Sequence, residues 1–256
     1  MPEPSSTEID VVIPISIKDL RVLPICLQGI RANVNNKIKD IYVVAKESLE
    51  VRDFCNNNHC VFVEERSVLG FGPETINLIV NGGEDRSGWL FQQLLKLSGK
   101  IGSCDDFLCI DADHILINPH TFIDSKGSPV FYMSAELHQP YYNMIRKICS
   151  IKKLSLLSYI SHKMIFNKHL LAQLREDVES VTGETWYKAI INKYDRSFNS
   201  GFSEFELYGN YVSKGKKRPW KQKMLKYSEL TDMRSLSKKY GGYYNSLTFP
   251  DYINVI

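Results

Sequence analysis

The feature that most constrains how this chain can fold is the run Phe107-Leu108-Cys109-Ile110, closed at once by Asp111-Ala112-Asp113. The apolar run has strand length, and a second one, Ile115-Leu116-Ile117, follows the acids. Apolar residues on both sides predict an element buried on both faces rather than a solvated acidic loop. Residues i and i+2 of an extended segment share a face, so both carboxylates are expected to converge on one cation. Two hard oxygen ligands at that spacing suit Mg2+ or Mn2+, which commonly complete their shell with phosphate oxygens. An Asp-x-Asp triplet alone is common in turns and helix caps, so the flanking apolar runs carry this reading. Acids at the end of a buried strand are costly unless a cation partners them.

The segments before this strand alternate in kind. Ile9 to Ile15 reads as a buried strand followed by a polar turn, Ser16 to Asp19. Leu20 to Asn33 has helical spacing, with Leu23, Leu27 and Ile30 on one face. Asp40 to Ala45 and Cys60 to Glu64 read as strands, with a short helix over Leu49 to Asn56 between them. Trp89 to Leu97 is amphipathic and leads through Gly99 to Gly102 into the acidic strand. Strands separated by helices predict a mostly parallel sheet covered on both faces, with ligands at the carboxyl ends of its strands. Ser16 to Asp19, Ala45 to Ser48 and the Asp pair all fall at such ends.

Beyond it, Phe131 to Glu136 reads as a strand, Tyr141 to Ile160 as a basic amphipathic helix, and Leu170 to Val181 and Thr185 to Lys193 as further helices. Ser203 is placed to cap a helix whose first turn holds Glu204 and Glu206.

At 256 residues the chain fits one large domain, or one domain with a small appended lobe. No run is apolar and long enough to span a bilayer, and Met1 to Glu8 lacks the character of a signal peptide. Cys26, Cys109 and Cys149 sit in apolar surroundings, as reduced core thiols of a cytoplasmic protein would. Cys55 and Cys60 flank a short loop, but no second pair follows to complete a zinc site. The net charge of +3 hides a basic cluster made by Lys214, Lys216, Lys217, Arg218, Lys221, Lys223 and Lys226. Its first reading is a solvated surface; with Trp220, Met224 and Leu225 interleaved, peripheral contact with an anionic membrane is the second. Nucleic acid is disfavoured as a partner, because no recognition motif accompanies the charge.

The strand Asp10-Val11-Val12-Ile13-Pro14-Ile15, the α/β half that follows and the Asp-x-Asp pair resemble the GT-A class of nucleotide-sugar glycosyltransferases. Gly88 to Lys96 and Gly201 to Asn210 look like a bacterial branch of that class found in polysaccharide gene clusters. The resemblance spans Ile9 to Tyr211. It implies a Rossmann-type α/β fold in a single domain, with residues 9–118 binding the nucleotide sugar and a more helical part, 119–256, binding the acceptor. It also implies metal-dependent transfer of a sugar, from UDP by default, to a glycan or lipid-linked glycan acceptor. Asp111 and Asp113 would then meet ribose and Mn2+ or Mg2+, and His162 is the candidate third ligand. His114, next after Asp113, is expected to point to the opposite face. An inverting enzyme needs a base, for which Glu204 is the first choice and Glu206 the second. Lys18, Asp19 and Glu47 lie where base and ribose would sit, Arg86 could grip a phosphate, and Gln92 or Gln93 could face the donor. Tyr141 and Tyr142 would line the acceptor groove. Two other functions compete. A sugar-nucleotide nucleotidyltransferase is disfavoured because Ile13 to Lys18 holds no glycine for a phosphate loop, and a non-catalytic scaffold because an acidic cluster without its cation is a liability.

Overall fold

A computed structural model describes residues 2–151, 156–212, 215–219 and 221–253. The first half alternates as its sequence predicts: β1 (Ile9–Pro14), α1 (Leu23–Asn33), β2 (Ile38–Ala45), α2 (Leu49–Asn57), β3 (Val61–Glu64), α3 (Glu65–Leu69), α4 (Ser87–Leu97), β4 (Asp106–Ile110) and β5 (His114–Leu116). The second half holds β6 (Val130–Met133), α5 (Gln139–Cys149), β7 (Lys163–Asn167), α6 (Lys168–Thr182), α7 (Trp186–Lys193) and α8 (Glu204–Val212). It ends with β8 (Lys216–Pro219), β9 (Gln222–Met224), α9 (Met233–Tyr240) and β10 (Ser246–Thr248).

The central sheet has five strands in the order β3-β2-β1-β4-β7, parallel throughout except for β7, which runs antiparallel to β4. All six residues of β1 are buried, as the interior strand of a sheet flanked by helices must be. Each fully buried Val, Ile or Leu there contributes about 1.5–3 kcal/mol relative to exposure. Leu27 and Ile30 of α1 and Leu90 and Leu94 of α4 share one core with these strands. Gly29 lets α1 come close to β5, since a Cβ there would fall 2.8 Å from the Leu116 carbonyl oxygen. A second, smaller core under β5, β9 and β10 gathers Ile115, Leu236, Leu247 and Phe249. This packing folds the end of the chain back onto the residues that follow the Asp pair.

Two local expectations are corrected. The helix predicted over Tyr141 to Ile160 ends at Cys149, where Ser150 turns left-handed with φ 55°, and Ser158 instead exchanges backbone hydrogen bonds with Ser134. The strand predicted to Glu136 stops at Met133, because the Glu136 N–H turns back to donate to Ser134 Oγ. The basic cluster forms two short strands: Lys216 pairs with Asp124, while Lys217 and Lys223 lie over Tyr159 and Tyr244. Lys214 and Trp220 of that cluster lie outside the described residues. No helix among the described residues is long and apolar enough to cross a membrane.

Candidate active site

A cleft of about 1170 Å³ opens along the carboxyl ends of the parallel strands. Pro14 to Asp19 after β1, Ala45 to Ser48 after β2, Glu65 after β3 and Asp111 to Asp113 after β4 line one side of it. The opposite side comes from the second half, through Glu136, Tyr141, His162 and Ser200 to Phe205. The strand ends singled out in the sequence therefore share one edge.

Asp111 and Asp113 do not converge by alternation along a strand. They flank a tight turn between β4 and β5, in which the His114 N–H donates to the Asp111 carbonyl over 3.0 Å. His162 reaches them from the neighbouring strand: the Asp111 N–H donates to the His162 carbonyl over 3.0 Å, extending the β4–β7 ladder by one step. His162 sits at φ 59°, a left-handed conformation that costs about 1–3 kcal/mol for a non-glycine residue and is concentrated at functional sites. Ligand atoms of Asp111, Asp113 and His162 all lie within 4.8 Å of one another. His114 is turned away as expected: it is buried, with its ring nitrogens on Thr248 Oγ1 (2.8 Å) and Lys163 Nζ (2.9 Å).

The charge balance of this cluster rests on a residue that the sequence reading passed over. Lys96, buried on α4, donates to Asp111 Oδ1 over 2.6 Å and to Glu204 Oε1 over 2.7 Å. Burial lowers its pKa, but the two carboxylates outweigh burial and raise it, so Lys96 stays charged. Burial also opposes ionisation of Asp111, and Lys96 and His162 together reverse that and hold it well below the usual carboxylate range. Asp113 has no such partner: burial pushes it up to about 6, with Asp111 adding to the rise and His162 opposing it. For His162, the bond to Asp111 (3.1 Å) and the charges of both aspartates outweigh burial and raise the pKa. Three carboxylates against one ammonium leave two negative charges when His162 is neutral, which a divalent cation balances. His162 Nε2 is buried without a hydrogen-bond partner, and no described residue bonds the Asp113 carboxylate. Two carboxylates and an imidazole whose Nε2 is otherwise unpaired fit a divalent cation.

Glu204 and Glu206 part company. Ser203 Oγ accepts the Glu206 N–H over 3.3 Å, so the predicted cap forms, and Gln93 Oε1 accepts the Glu204 N–H over 3.1 Å. Glu204 lines the cleft but is bound to Lys96. Glu206 faces away from it, because Tyr142 Oη (2.9 Å), Ser158 Oγ (2.5 Å), the Tyr159 N–H (3.1 Å) and Asn210 Nδ2 (2.9 Å) all donate to its buried carboxylate. Five residues after Ser203's neighbour Glu204, Gly209 lets α8 lie on Tyr159, since a Cβ there would fall 2.3 Å from that ring. Tyr142 serves this packing, whereas Tyr141 lines the cleft.

Of the softer candidates, Lys18, Asp19, Glu47, Arg86, Gln92 and Gln93 all line the cleft. Lys18 pairs with Asp251, Glu47 with Arg52, and Asp19 Oδ2 accepts from Ser16. Arg86 stacks on Trp89 at 4.5 Å and donates to the Asn199 carbonyl over 3.1 Å. Glu136 is a cleft residue that the sequence reading counted only as the end of a strand. Its carboxylate has no hydrogen-bond or ion-pair partner among the described residues, and desolvation by the cleft walls raises its pKa.

The sequence pattern of a family of unknown function, DUF6492, matches residues 6–238. The chain belongs to that family. No curated protein matches it. Among solved structures, mouse xyloside xylosyltransferase 1 in its apo form is similar to this DUF6492 chain over 98% of it and 100% of that chain, at 9% identity and a TM-score of 0.51. The galactosyltransferase LgtC, solved with donor and acceptor sugar analogues, aligns over 94% of this chain and 87% of that one, at 12% identity and a TM-score of 0.48. The first of these likenesses establishes the fold: the DUF6492 chain has the GT-A architecture, a mostly parallel sheet flanked by helices.

Proposed function

We propose that this chain is a metal-dependent glycosyltransferase that moves a sugar from a nucleoside diphosphate, UDP by default, to an acceptor hydroxyl. The observation that carries the reading is the convergence of Asp111, Asp113 and His162 on the floor of a cleft at the carboxyl edge of the sheet. Asp111, Asp113 and His162 would hold Mn2+ or Mg2+, which when bound neutralises charge on the departing diphosphate. Lys96 keeps Asp111 ionised and fixes its direction, so the ligand carboxylate does not have to reorganise. Arg86 and Gln92, from the start and middle of α4, face the same space and offer donors to phosphate or sugar oxygens.

The acceptor oxygen must lose a proton as its bond to the anomeric carbon forms and the bond from that carbon to the diphosphate oxygen breaks. Glu204 is the first base the sequence offers, but the Lys96 ammonium occupies its Oε1 over 2.7 Å. The Glu136 carboxylate, on the acceptor side, has no partner among the described residues, and its raised pKa suits a base. We therefore assign the proton to Glu136 in an inverting transfer, with Glu204 positioning Lys96 and the cleft end of α8. The acceptor assigned is a growing bacterial surface glycan, on the resemblance carried by Gly88 to Lys96 and Gly201 to Asn210.

Product analysis after incubation with UDP-sugars and Mn2+ tests this. Release of UDP with sugar transfer, lost in Asp113→Asn, is the expected result. Release of pyrophosphate would instead assign a nucleotidyltransferase.

A further inference from the structure

Behind the acceptor wall of the cleft lies a second cavity of about 340 Å³, between α5 and α7. It falls within the size range of small-ligand sites, about 300–1,000 Å³. Its lining is of the opposite sign to the cleft. Arg146, Lys147 and Lys193 face it against one acid, Asp195, whose Oδ1 is already taken by the Ser197 N–H (3.1 Å) and Oγ (2.6 Å). Lys147 makes no hydrogen bond or ion pair with any described residue, and Lys193 is held only loosely, 3.5 Å from Glu184. Met144 and Phe198 supply an apolar side, and Phe198 keeps 40% of its surface exposed.

The two cavities share a wall. Ser200 and Tyr141 line the cleft, while Gly201 and Pro140, their chain neighbours, line the second cavity. His138 holds this wall together: its Nε2 lies 2.8 Å from the Ser200 carbonyl and its ring 4.6 Å from that of Tyr141. A ligand extending out of the cleft over this wall meets cations and an aromatic face. The reacting end, by contrast, is lined by the carboxylates of Asp111, Asp113, Glu136 and Glu204.

We propose that this second cavity binds an anionic sugar unit of the acceptor, with Arg146, Lys147 and Lys193 pairing its carboxylate or phosphate and Phe198 packing on its ring. The assignment rests on the glycosyltransferase reading for the word acceptor, but the binding itself does not.

The test is a titration of the intact chain with glucuronate, glucose 1-phosphate and neutral glucose, followed by amide NMR shifts. Both charged sugars, or one of them, should shift the amides of Lys147, Lys193 and Phe198, with glucose at least about tenfold weaker. Response to glucuronate alone points to an acidic sugar within the glycan; response to glucose 1-phosphate points to the phosphate of a lipid-linked acceptor. R146Q/K147Q should weaken the charged sugars about tenfold, and added salt should do the same. Asp113→Asn should leave this binding intact while abolishing Mn2+-dependent nucleotide binding, so failure here and failure of the donor site are separable. Equal affinity for glucose, shifts confined to the cleft, or unchanged binding in R146Q/K147Q with an unchanged melting temperature would each overturn the proposal.

Discussion

At the residue scale, the site is a problem in charge balance. Removing Lys96 as Lys96→Met leaves the buried Glu204 and the half-buried Asp111 without their shared cation. Breaking a buried ion pair from one side costs about 3–5 kcal/mol, so a fall of that size is expected in chemical denaturation, with part of it recovered by Mn2+. Asp113 and His162 both titrate above their ordinary values, the former at about 6. Protons then compete with the cation: Mn2+ affinity, measured by calorimetry across pH, should drop as pH falls through about 6. An affinity flat from pH 5 to pH 8 would remove these residues from the site. Glu136 gives a separate signature. Because its pKa is raised, the acid limb of kcat should lie above the ordinary glutamate range, and Glu136→Gln should lose turnover while keeping donor affinity. Glu204→Gln should instead weaken donor binding along with turnover, since it releases Lys96.

At the element scale, what could be read from sequence was whatever periodicity and burial dictate. β1, β2, β4 and α4 are where their apolar patterns put them, and the edge shared by their carboxyl ends followed from their alternation. The Asp pair was found for a reason only half right, because its convergence comes from a turn rather than a pleat. Lys96 was invisible because a lysine in an amphipathic helix reads as solvated, and only the fold brings α8 over it. Glu206 could not be told from Glu204 by spacing; the donors that claim it, Tyr142 and Ser158, come from distant segments. Glu136 was hidden in a strand that ends three residues earlier. One element-level prediction follows from the cap of α8: Ser203→Ala should cost about 1 kcal/mol, read as a lower denaturation midpoint with an unchanged slope. No change would mean that Gln93 alone organises that helix start.

At the scale of the whole molecule, β7 from the second half joins the sheet of the first and delivers His162 to the Asp pair. Just after β10, the Phe249 N–H donates to the Asp113 carbonyl over 2.9 Å, and Pro250 and Asp251 line the cleft. Residues from both halves of the chain thus meet around Asp111, Asp113 and His162. The most direct test of that account is a thermal-shift panel of nucleoside diphosphates with and without Mn2+, on the wild type and on Asp113→Asn. A ligand at a hundredfold over its Kd stabilises by about 2.7 kcal/mol, enough to move the melting temperature visibly. The account predicts a shift with one nucleotide that requires Mn2+ and disappears in Asp113→Asn; no shift with any nucleotide, or the same shift without metal, would contradict it.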